Sequence, residues 1–281
     1  MTVDVPKTEH TQNNEGEKRN RKQEIKDKIK AFFKGLVKAF DDALYPIDCT
    51  CDVCGGELIE KTRVRLCSEC VENLPFTGEH ICLYCGMPLK DESDYCNRCQ
   101  YSKHEFVKNR APLVYDGEVK KLIYALKFNK KKYIAQTLGA LMADEYLKRG
   151  MDADIIVYVP MTKEEEQKRG FNQSELLALE VGNRLNIPVL PALVKIKSTS
   201  AQKELKGKDR ALNLEGAFAC VFEQVKNRKI LLIDDIYTTG ATANECTKTL
   251  LKAKAREVSV LTSAITMLKI PVESKDGQSA I

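Results

Sequence analysis

The chain has 281 residues, of which 43% are hydrophobic and 30% are charged. This length allows one full α/β domain and a smaller module, and the composition is typical of a globular protein. The net charge of +5 at pH 7 does not by itself indicate a nucleic-acid-binding protein, although it allows an anionic ligand. No apolar run reaches the roughly 18 residues of a membrane helix, so we predict no transmembrane segment.

The N-terminal region divides into two parts. Residues 1–24 are nearly all polar or charged, which predicts a disordered tail without the apolar core of a signal peptide. Apolar residues then recur at helical spacing among lysines, which predicts an amphipathic helix in the segment 25–46, ending near Leu44 just before Pro46. This helix could pack on the rest of the protein or, with its basic face, lie on a membrane surface. Together these features predict a cytoplasmic protein with reduced cysteines.

Residues 47–103 contain nine of the eleven cysteines and little that could form an apolar core. Such a segment needs a cross-link, and a CxxC turn presents two thiolates to one tetrahedral ion. The predicted ligands form two blocks: Cys51, Cys54, Cys67 and Cys70, then Cys82, Cys85, Cys96 and Cys99. The spacing favours one or two structural zinc ions over disulfides or an iron–sulfur cluster, and it leaves open whether the blocks interleave.

The remaining cysteines and the nearby rings allow several interpretations. Cys49 could replace a neighbouring ligand, whereas Cys220 and Cys246 are predicted to be core thiols. His80 and His104 flank the module and are predicted to be surface residues. Four aromatic side chains could stack nucleic-acid bases or form the small core of the module: Tyr84, Tyr95, Tyr101 and Phe106.

Residues 104–270 show apolar runs that alternate with helical patterns. The predicted strands are Pro112–Tyr115, Ile155–Val159, Val189–Ile196, Lys229–Ile233 and Val258–Ile265. Helices are predicted between them, including one over Gly240–Leu251. This alternation predicts an α/β fold with a doubly wound, mostly parallel sheet, which binds ligands at the carboxyl ends of its strands. Residues 271–281 are predicted to form a C-terminal tail.

The most specific motif follows the strand Lys229–Ile233. Asp234 and Asp235 can accept hydrogen bonds from two ribose hydroxyls, and a buried carboxylate pair needs such partners or a cation. A helix that begins with small and hydroxyl residues can hold a phosphate on its free N–H groups. The residues of this start are Thr238, Thr239, Gly240, Ala241 and Thr242. An Asp-rich strand end with a threonine helix cap is the alternative, but the pattern here is much narrower than a cap.

This motif resembles the phosphoribosyl-pyrophosphate (PRPP) binding motif of type I phosphoribosyltransferases. Together with the upstream cysteine pairs it resembles the ComF family, which is associated in bacteria with DNA uptake during competence. The resemblance covers about residues 41–268. It implies that the two acids hold the ribose hydroxyls and that Thr238–Thr242 holds the 5′-phosphate. It also implies that Val159–Met161 leads into the pyrophosphate region.

The resemblance implies further ligand contacts. Arg169, in Arg-Gly-Phe-Asn-Gln, and Lys127 occupy family positions near the ligand. Gln202, with Ser198–Ala201, Arg210 and Asn213, lies in the family's mobile loop. The candidate catalytic residues are therefore Asp234, Asp235 and Arg169. Pyrophosphate leaves as an anion, so we expect Mg²⁺ to accompany PRPP.

Two basic segments and the missing acceptor site leave several functions open. Residues 195–210 carry six positive and two negative side chains, and they could form a lid, a solvated loop or a nucleic-acid contact. Lys127 and Lys130–Lys132 form a second basic cluster. We find no segment that would recognise a purine or pyrimidine acceptor. The hypotheses are a ComF-type PRPP-binding protein acting on transforming single-stranded DNA, an active phosphoribosyltransferase of nucleotide metabolism, and a non-catalytic sensor. Competence proteins and a second copy of the chain are candidate partners.

Overall fold

The computed structural model describes residues 50–58, 64–197 and 214–267, and the described residues from Thr50 onward belong to one compact unit. Several predictions lie outside the described residues. They concern the tail 1–24, the helix 25–46, Cys49, the tail 271–281, and the loop residues Ser198–Gln202, Arg210 and Asn213.

The described residues form eight strands and seven α-helices. The strands are β1 (Asn109–Arg110), β2 (Leu113–Val114), β3 (Ile155–Tyr158), β4 (Val189–Leu190), β5 (Leu193–Lys195), β6 (Phe218–Cys220), β7 (Lys229–Tyr237) and β8 (Glu257–Ile265). The helices are α1 (Ser68–Glu72), α2 (Asn97–Tyr101), α3 (Gly117–Phe128), α4 (Ile134–Lys148), α5 (Lys163–Arg169), α6 (Gln173–Leu185) and α7 (Ala241–Lys252). A single 3-10 turn covers Glu223–Val225.

Six strands form a wholly parallel sheet. Its order is β1-β8-β7-β3-β4, and β2 also pairs with β8. The path from β3 to β4 runs towards one edge of the sheet, whereas the path from β7 to β8 runs towards the other. The strand order therefore reverses between β3 and β7, and ligands bind at such a reversal in open α/β sheets. The predicted doubly wound α/β fold is confirmed.

Helices cover both faces of the sheet. Side chains of a strand alternate between faces, so Leu231 and Ile233 of β7 pack with α3, α4 and α6. Ile230 and Leu232 pack on the opposite face with α7. Because both faces are covered, the strand reads as a continuous apolar run.

One predicted strand is wrong in its extent. Instead of a single strand over Val189–Ile196, the chain forms β4 and β5, separated by Pro191 and Ala192. Proline lacks the N–H that a strand interior needs, so the pairing changes there. β4 joins the parallel sheet, whereas β5 pairs antiparallel with β6, which was not predicted.

The two cysteine blocks pack on opposite faces of the sheet. Cys51, Leu66 and Leu74 of the first block share a core with α3, α4 and α6. The cysteines of the second block share a core with β7 and α7. The blocks therefore contribute to the main hydrophobic core instead of hanging from it. None of the described helices has the length and apolarity needed to cross a bilayer.

Candidate functional site

The eight predicted cysteine ligands form two separate clusters, one per block. In each cluster the sulfur atoms lie within 4.8 Å of one another. Cys54 Sγ and Cys67 Sγ are 3.8 Å apart, and Cys85 Sγ and Cys96 Sγ are 3.7 Å apart. Two thiolates at ~2.3 Å from one tetrahedral zinc ion would be about 3.8 Å apart, so both clusters fit this ion. A disulfide needs roughly 2 Å between sulfurs, which these distances exclude. The blocks do not interleave.

The other cysteines and histidines are outside these clusters. Cys246 is buried in the core, and Cys220 is half-buried beside it, in agreement with the prediction for both thiols. His80 is exposed and contacts the carbonyl oxygen of Ser93. His104 is half-buried, with Nε2 3.4 Å from the Sγ of Cys99. His104 is therefore a neighbour of a predicted ligand and not the free surface residue that we expected.

The four aromatic residues of the module have different environments. Phe106 is 1% exposed and belongs to the core. Tyr84 and Tyr95 pack against each other, with ring centroids 5.1 Å apart. Tyr101 is 88% exposed. Only Tyr101 therefore offers an open ring face of the kind that base stacking requires.

Asp234 and Asp235 lie within β7 near its carboxyl end, because the strand continues to Tyr237 and does not end at Ile233 as predicted. The Asp235 side chain is 8% exposed, and its Oδ2 is 2.7 Å from Lys127 Nζ at the end of α3. Asp234 Oδ1 accepts hydrogen bonds from the Ser174 hydroxyl (3.0 Å) and the Asp235 amide (2.8 Å). The pair thus carries two carboxylates against one lysine at the point where the strand order reverses.

This arrangement disfavours the ionised form of Asp234. Burial, and then the neighbouring charge of Asp235, raise the pKa of the Asp234 carboxyl well above its usual range. Lys127 and the hydrogen bond from Ser174 oppose that rise. A bound cation or a row of ligand hydroxyls would relieve the same cost, because either stabilises the carboxylate.

The loop after β7 leads into the start of α7 through Gly240. Gly240 precedes α7 with a φ of +80°, a conformation that favours glycine. A Cβ at this position would also collide with the hydroxyl of Tyr237. The amide of Ala241 donates to the Thr239 hydroxyl at 3.3 Å. Four of the five predicted phosphate-loop residues line one cavity with Asp234: Thr238, Gly240, Ala241 and Thr242.

Arg169 and Lys127 lie on the same side of the acids. Arg169 ends the short helix α5, which was not predicted, and its Nη1 donates to Gln173 Oε1 at 2.6 Å. Its guanidinium lies 5.2 Å from the centre of the Phe128 ring. Gln173 is followed by Ser174, which binds Asp234, so α6 connects Arg169 to the acid pair. Ser174 is a site residue that sequence reasoning missed, and its position after Asn172, the N-cap of α6, was the available signal.

The second cysteine block also contacts the phosphate loop. Arg98 lies between Cys96 and Cys99, and both of its Nη atoms are 3.2 Å from the carbonyl oxygen of Thr238. The Glu105 amide donates to the Asn244 side chain in the first turn of α7 at 2.7 Å. Nothing in the sequence spacing indicated either contact, since the partners are 140 and 139 residues apart.

Comparison with known proteins identifies the family. Residues 40–100 match the double zinc ribbon domain. Competence protein F of Haemophilus influenzae is 31% identical over 75% of this chain and 94% of its own length. The chain belongs to the competence protein F (ComF) family. DNA utilization protein YhgH of Escherichia coli is 30% identical over 69% of the ComF chain and 88% of its own length. Competence protein ComFC of Bacillus subtilis is 30% identical over 72% of this chain and 85% of its own length.

The similarity of this chain to the solved structure below is distant. Glutamine PRPP amidotransferase from Bacillus subtilis is 22% identical, with a TM-score of 0.34. The match covers 46% of the ComF chain and 26% of the enzyme, so the chain spans about a quarter of that protein. At this TM-score the similarity adds nothing to what the strand order already shows.

The separation of the two clusters predicts the zinc stoichiometry of the ComF chain. We expect two zinc ions per chain, and one in the double variant Cys51→Ser/Cys54→Ser, because the second cluster keeps all four ligands. Metal analysis of the purified proteins measures this number. Cys220→Ser is the matched control and should retain both ions. Loss of both ions in the double variant would show that the blocks share ligands.

The raised pKa of Asp234 predicts how stability depends on pH. Above about pH 4 the unfolded chain ionises this residue, whereas the folded chain holds its proton to higher pH. The free energy of unfolding should therefore fall as pH rises from about 4 towards the raised folded pKa. Asp234→Asn removes this contribution. The free energy of unfolding of the variant, relative to that of the parent, should therefore rise by about 1 kcal/mol or more across that pH range.

Urea unfolding at several pH values measures that difference. Asp152→Asn is the control, because its hydrogen bond from Lys229 lowers the pKa of an exposed carboxyl. A stability difference between parent and Asp234→Asn that does not change with pH would contradict the assignment.

Proposed function

We propose that this protein binds PRPP at the carboxyl end of β7 and acts in the cytoplasm in the uptake and processing of transforming single-stranded DNA. The observation that carries the ligand assignment is the acid pair Asp234–Asp235. It lies where the strand order reverses, and a short loop connects the end of its strand to a helix with Gly240 at the N-cap. The proposed location agrees with cysteines clustered as thiols for metal, which a reducing compartment maintains.

The acid pair supplies the ribose-binding part of the proposal. A carboxylate accepts hydrogen bonds only, and two adjacent ribose hydroxyls can donate to two adjacent carboxylates. Asp234 is held by Ser174 and Asp235 by Lys127, so both acceptors have defined positions. Lys127 neutralises one carboxylate, which leaves the other to attract a cation or a donor.

The loop Thr238–Thr242 is proposed to bind the 5′-phosphate. The N-terminus of a helix attracts anions through its free N–H groups and its dipole. The cavity lined by Asp234, Gly240 and Thr242 measures about 20 Å³. Because Asp234 and the loop line one cavity, a sugar phosphate bound there would contact both.

Pyrophosphate is proposed to bind towards Arg169, on the α5 and α6 side of the acids. The guanidinium fork matches a pair of phosphate oxygens, and Gln173 and Phe128 already orient it. Mg²⁺, when bound beside the acid pair, would supply positive charge that offsets the charge developing as pyrophosphate leaves. The unneutralised carboxylate of the acid pair suits that ion.

Turnover is the second candidate activity, in which a free base displaces pyrophosphate at C1 of the ribose. Arg169 is connected to the acid pair through Gln173 and Ser174, which favours a site that holds pyrophosphate. Gln202 and the basic residues around it lie between β5 and β6, where the family resemblance places a mobile loop. A pyrophosphate-release assay across purines and pyrimidines distinguishes a transferase from a binding module.

A basic–aromatic surface beside the site supports the DNA part of the proposal. It consists of Tyr124, Phe128 and Lys130–Lys132. Both rings are 57% exposed, with centroids 4.8 Å apart, and the three lysines are exposed. Aromatic rings stack on unpaired bases, while lysines bind the phosphate backbone. The relatives named competence protein F and DNA utilization protein agree with a DNA-related role.

Ligand binding is tested first with PRPP and Mg²⁺ by titration calorimetry. The parent should bind, and Asp234→Asn/Asp235→Asn should lose binding, because neutral amides cannot replace two carboxylate acceptors and their attraction for magnesium. Asp152→Asn is the matched control. It removes an exposed acid that pairs with Lys229 at the other end of β7. Undiminished binding by the double variant would place the ligand elsewhere.

DNA binding is tested with a fluorescent single-stranded oligonucleotide at several salt concentrations. Tyr124→Ala/Phe128→Ala should weaken binding about tenfold or more, since one stacked base contributes about 1–3 kcal/mol. Replacing Lys130–Lys132 with alanine should reduce the slope of log K against log salt by roughly 2. Leu147→Ala, an equally exposed apolar position on α4, is the control. An equal loss in that variant would exclude this surface.

A further inference from the structure

The second cysteine block, here called ribbon 2 (residues 81–106), makes one contact each with the end of β7, the loop that follows it and the first turn of α7. Arg98 binds the carbonyl oxygen of Thr238 through both Nη atoms, at 3.2 Å each. The Glu105 amide donates to Asn244 Oδ1 at 2.7 Å. The ring of Phe106 meets that of Tyr237 edge to face, with centroids 6.1 Å apart. These contacts lie on both sides of the phosphate loop.

Arg98 has a defined position because the fold orients it. It lies on α2, between two thiols of the buried second cluster. Its guanidinium also lies 5.9 Å from the centre of the Tyr237 ring. Tyr237 is 2% exposed and lies beneath Gly240. The guanidinium therefore holds the last residue of β7 and the first residue of the loop together.

The carbonyl that Arg98 binds determines which way an amide points. All described peptide bonds are trans, and in a trans peptide the C=O of one residue and the N–H of the next point in opposite directions. Holding the Thr238 oxygen towards ribbon 2 therefore directs the Thr239 N–H away from it. Consecutive main-chain N–H groups oriented in this way are what binds an anion at a helix start.

We propose that Arg98 is a positioning residue for the phosphate loop, and that it couples the second zinc cluster to ligand binding at Thr238–Thr242. The proposal rests on the proposed PRPP site. Zinc in the second cluster would hold α2, α2 would hold Arg98, and Arg98 would orient the Thr238–Thr239 peptide. By linkage, the ligand should in turn hold zinc in this cluster.

The first test compares the PRPP affinity of the parent, Arg98→Ala and Arg98→Lys by titration calorimetry. Arg98→Ala should raise the Kd about tenfold or more, the effect of losing hydrogen bonds from a charged donor. Arg98→Lys should recover part of the affinity, because an ammonium still donates to the Thr238 oxygen. Lys103→Ala, which removes an exposed positive charge from the same ribbon, should bind like the parent.

The second test follows zinc release from the full chain to a coloured chelator, with and without PRPP. Saturating ligand should slow the release of one of the two ions severalfold in the parent, and this protection should disappear in Arg98→Ala. The readout does not depend on activity, and it remains informative if Arg98→Ala also weakens the fold, because the parent alone must show the protection.

The outcomes separate the two proposals. A parent that binds no PRPP contradicts the proposed function, and this inference falls with it. If the parent binds PRPP and Arg98→Ala binds it equally well, the positioning role of Arg98 is contradicted and the proposed PRPP site is not. Ligand binding that leaves both zinc release rates unchanged contradicts the coupling.

Discussion

The site depends on the charge balance of two consecutive carboxylates, Asp234 and Asp235, near the end of β7. Lys127 neutralises one of them. Asp235 is paired with Lys127 at 2.7 Å, and both side chains are largely buried. Among the described residues, the Ser174 hydroxyl and the Asp235 amide donate hydrogen bonds to Asp234, and burial raises the pKa of its carboxyl. An ionised Asp234 therefore costs free energy in the ligand-free protein. A bound cation or polyhydroxyl ligand would offset that cost, because either stabilises the carboxylate.

The fold concentrates the remaining site residues around this pair. The reversal of strand order between β3 and β7 leaves a crevice at their carboxyl ends. Lys127 ends α3, Arg169 ends α5 and Ser174 begins α6, so one end of the helical layer supplies three polar side chains. Helix ends suit this task because small shifts there do not disturb the packing of the layer.

The cysteine blocks have a larger structural role than an appended module would have. Each block contributes to the core on one face of the sheet, and the second block also contacts the loop after β7. Sulfur distances of 3.7 and 3.8 Å fit one tetrahedral ion per block. A metal with four thiolates makes a closed, rigid centre. Such a centre is well suited to holding the backbone of a neighbouring loop.

Local spacing along the chain encodes part of this protein, and that part can be predicted from the residues alone. The CxxC pairs, the apolar run of β7 and the glycine before α7 each require particular residues at short separations, so their chemistry is readable along the chain. Prediction from the sequence failed where an element depends on partners far along the chain. Val189–Ile196 divides at Pro191, but the pairing of its second part with β6 depends on residues far along the chain. β7 continues past Ile233 because β8 lies beside it as far as Ile265. Three contacts of the site arise from the folding of distant segments onto one another: Lys127 with Asp235, Ser174 with Asp234, and Arg98 with Thr238. Each of these contacts joins residues 60 or more positions apart, and no periodicity records which distant side chains will meet.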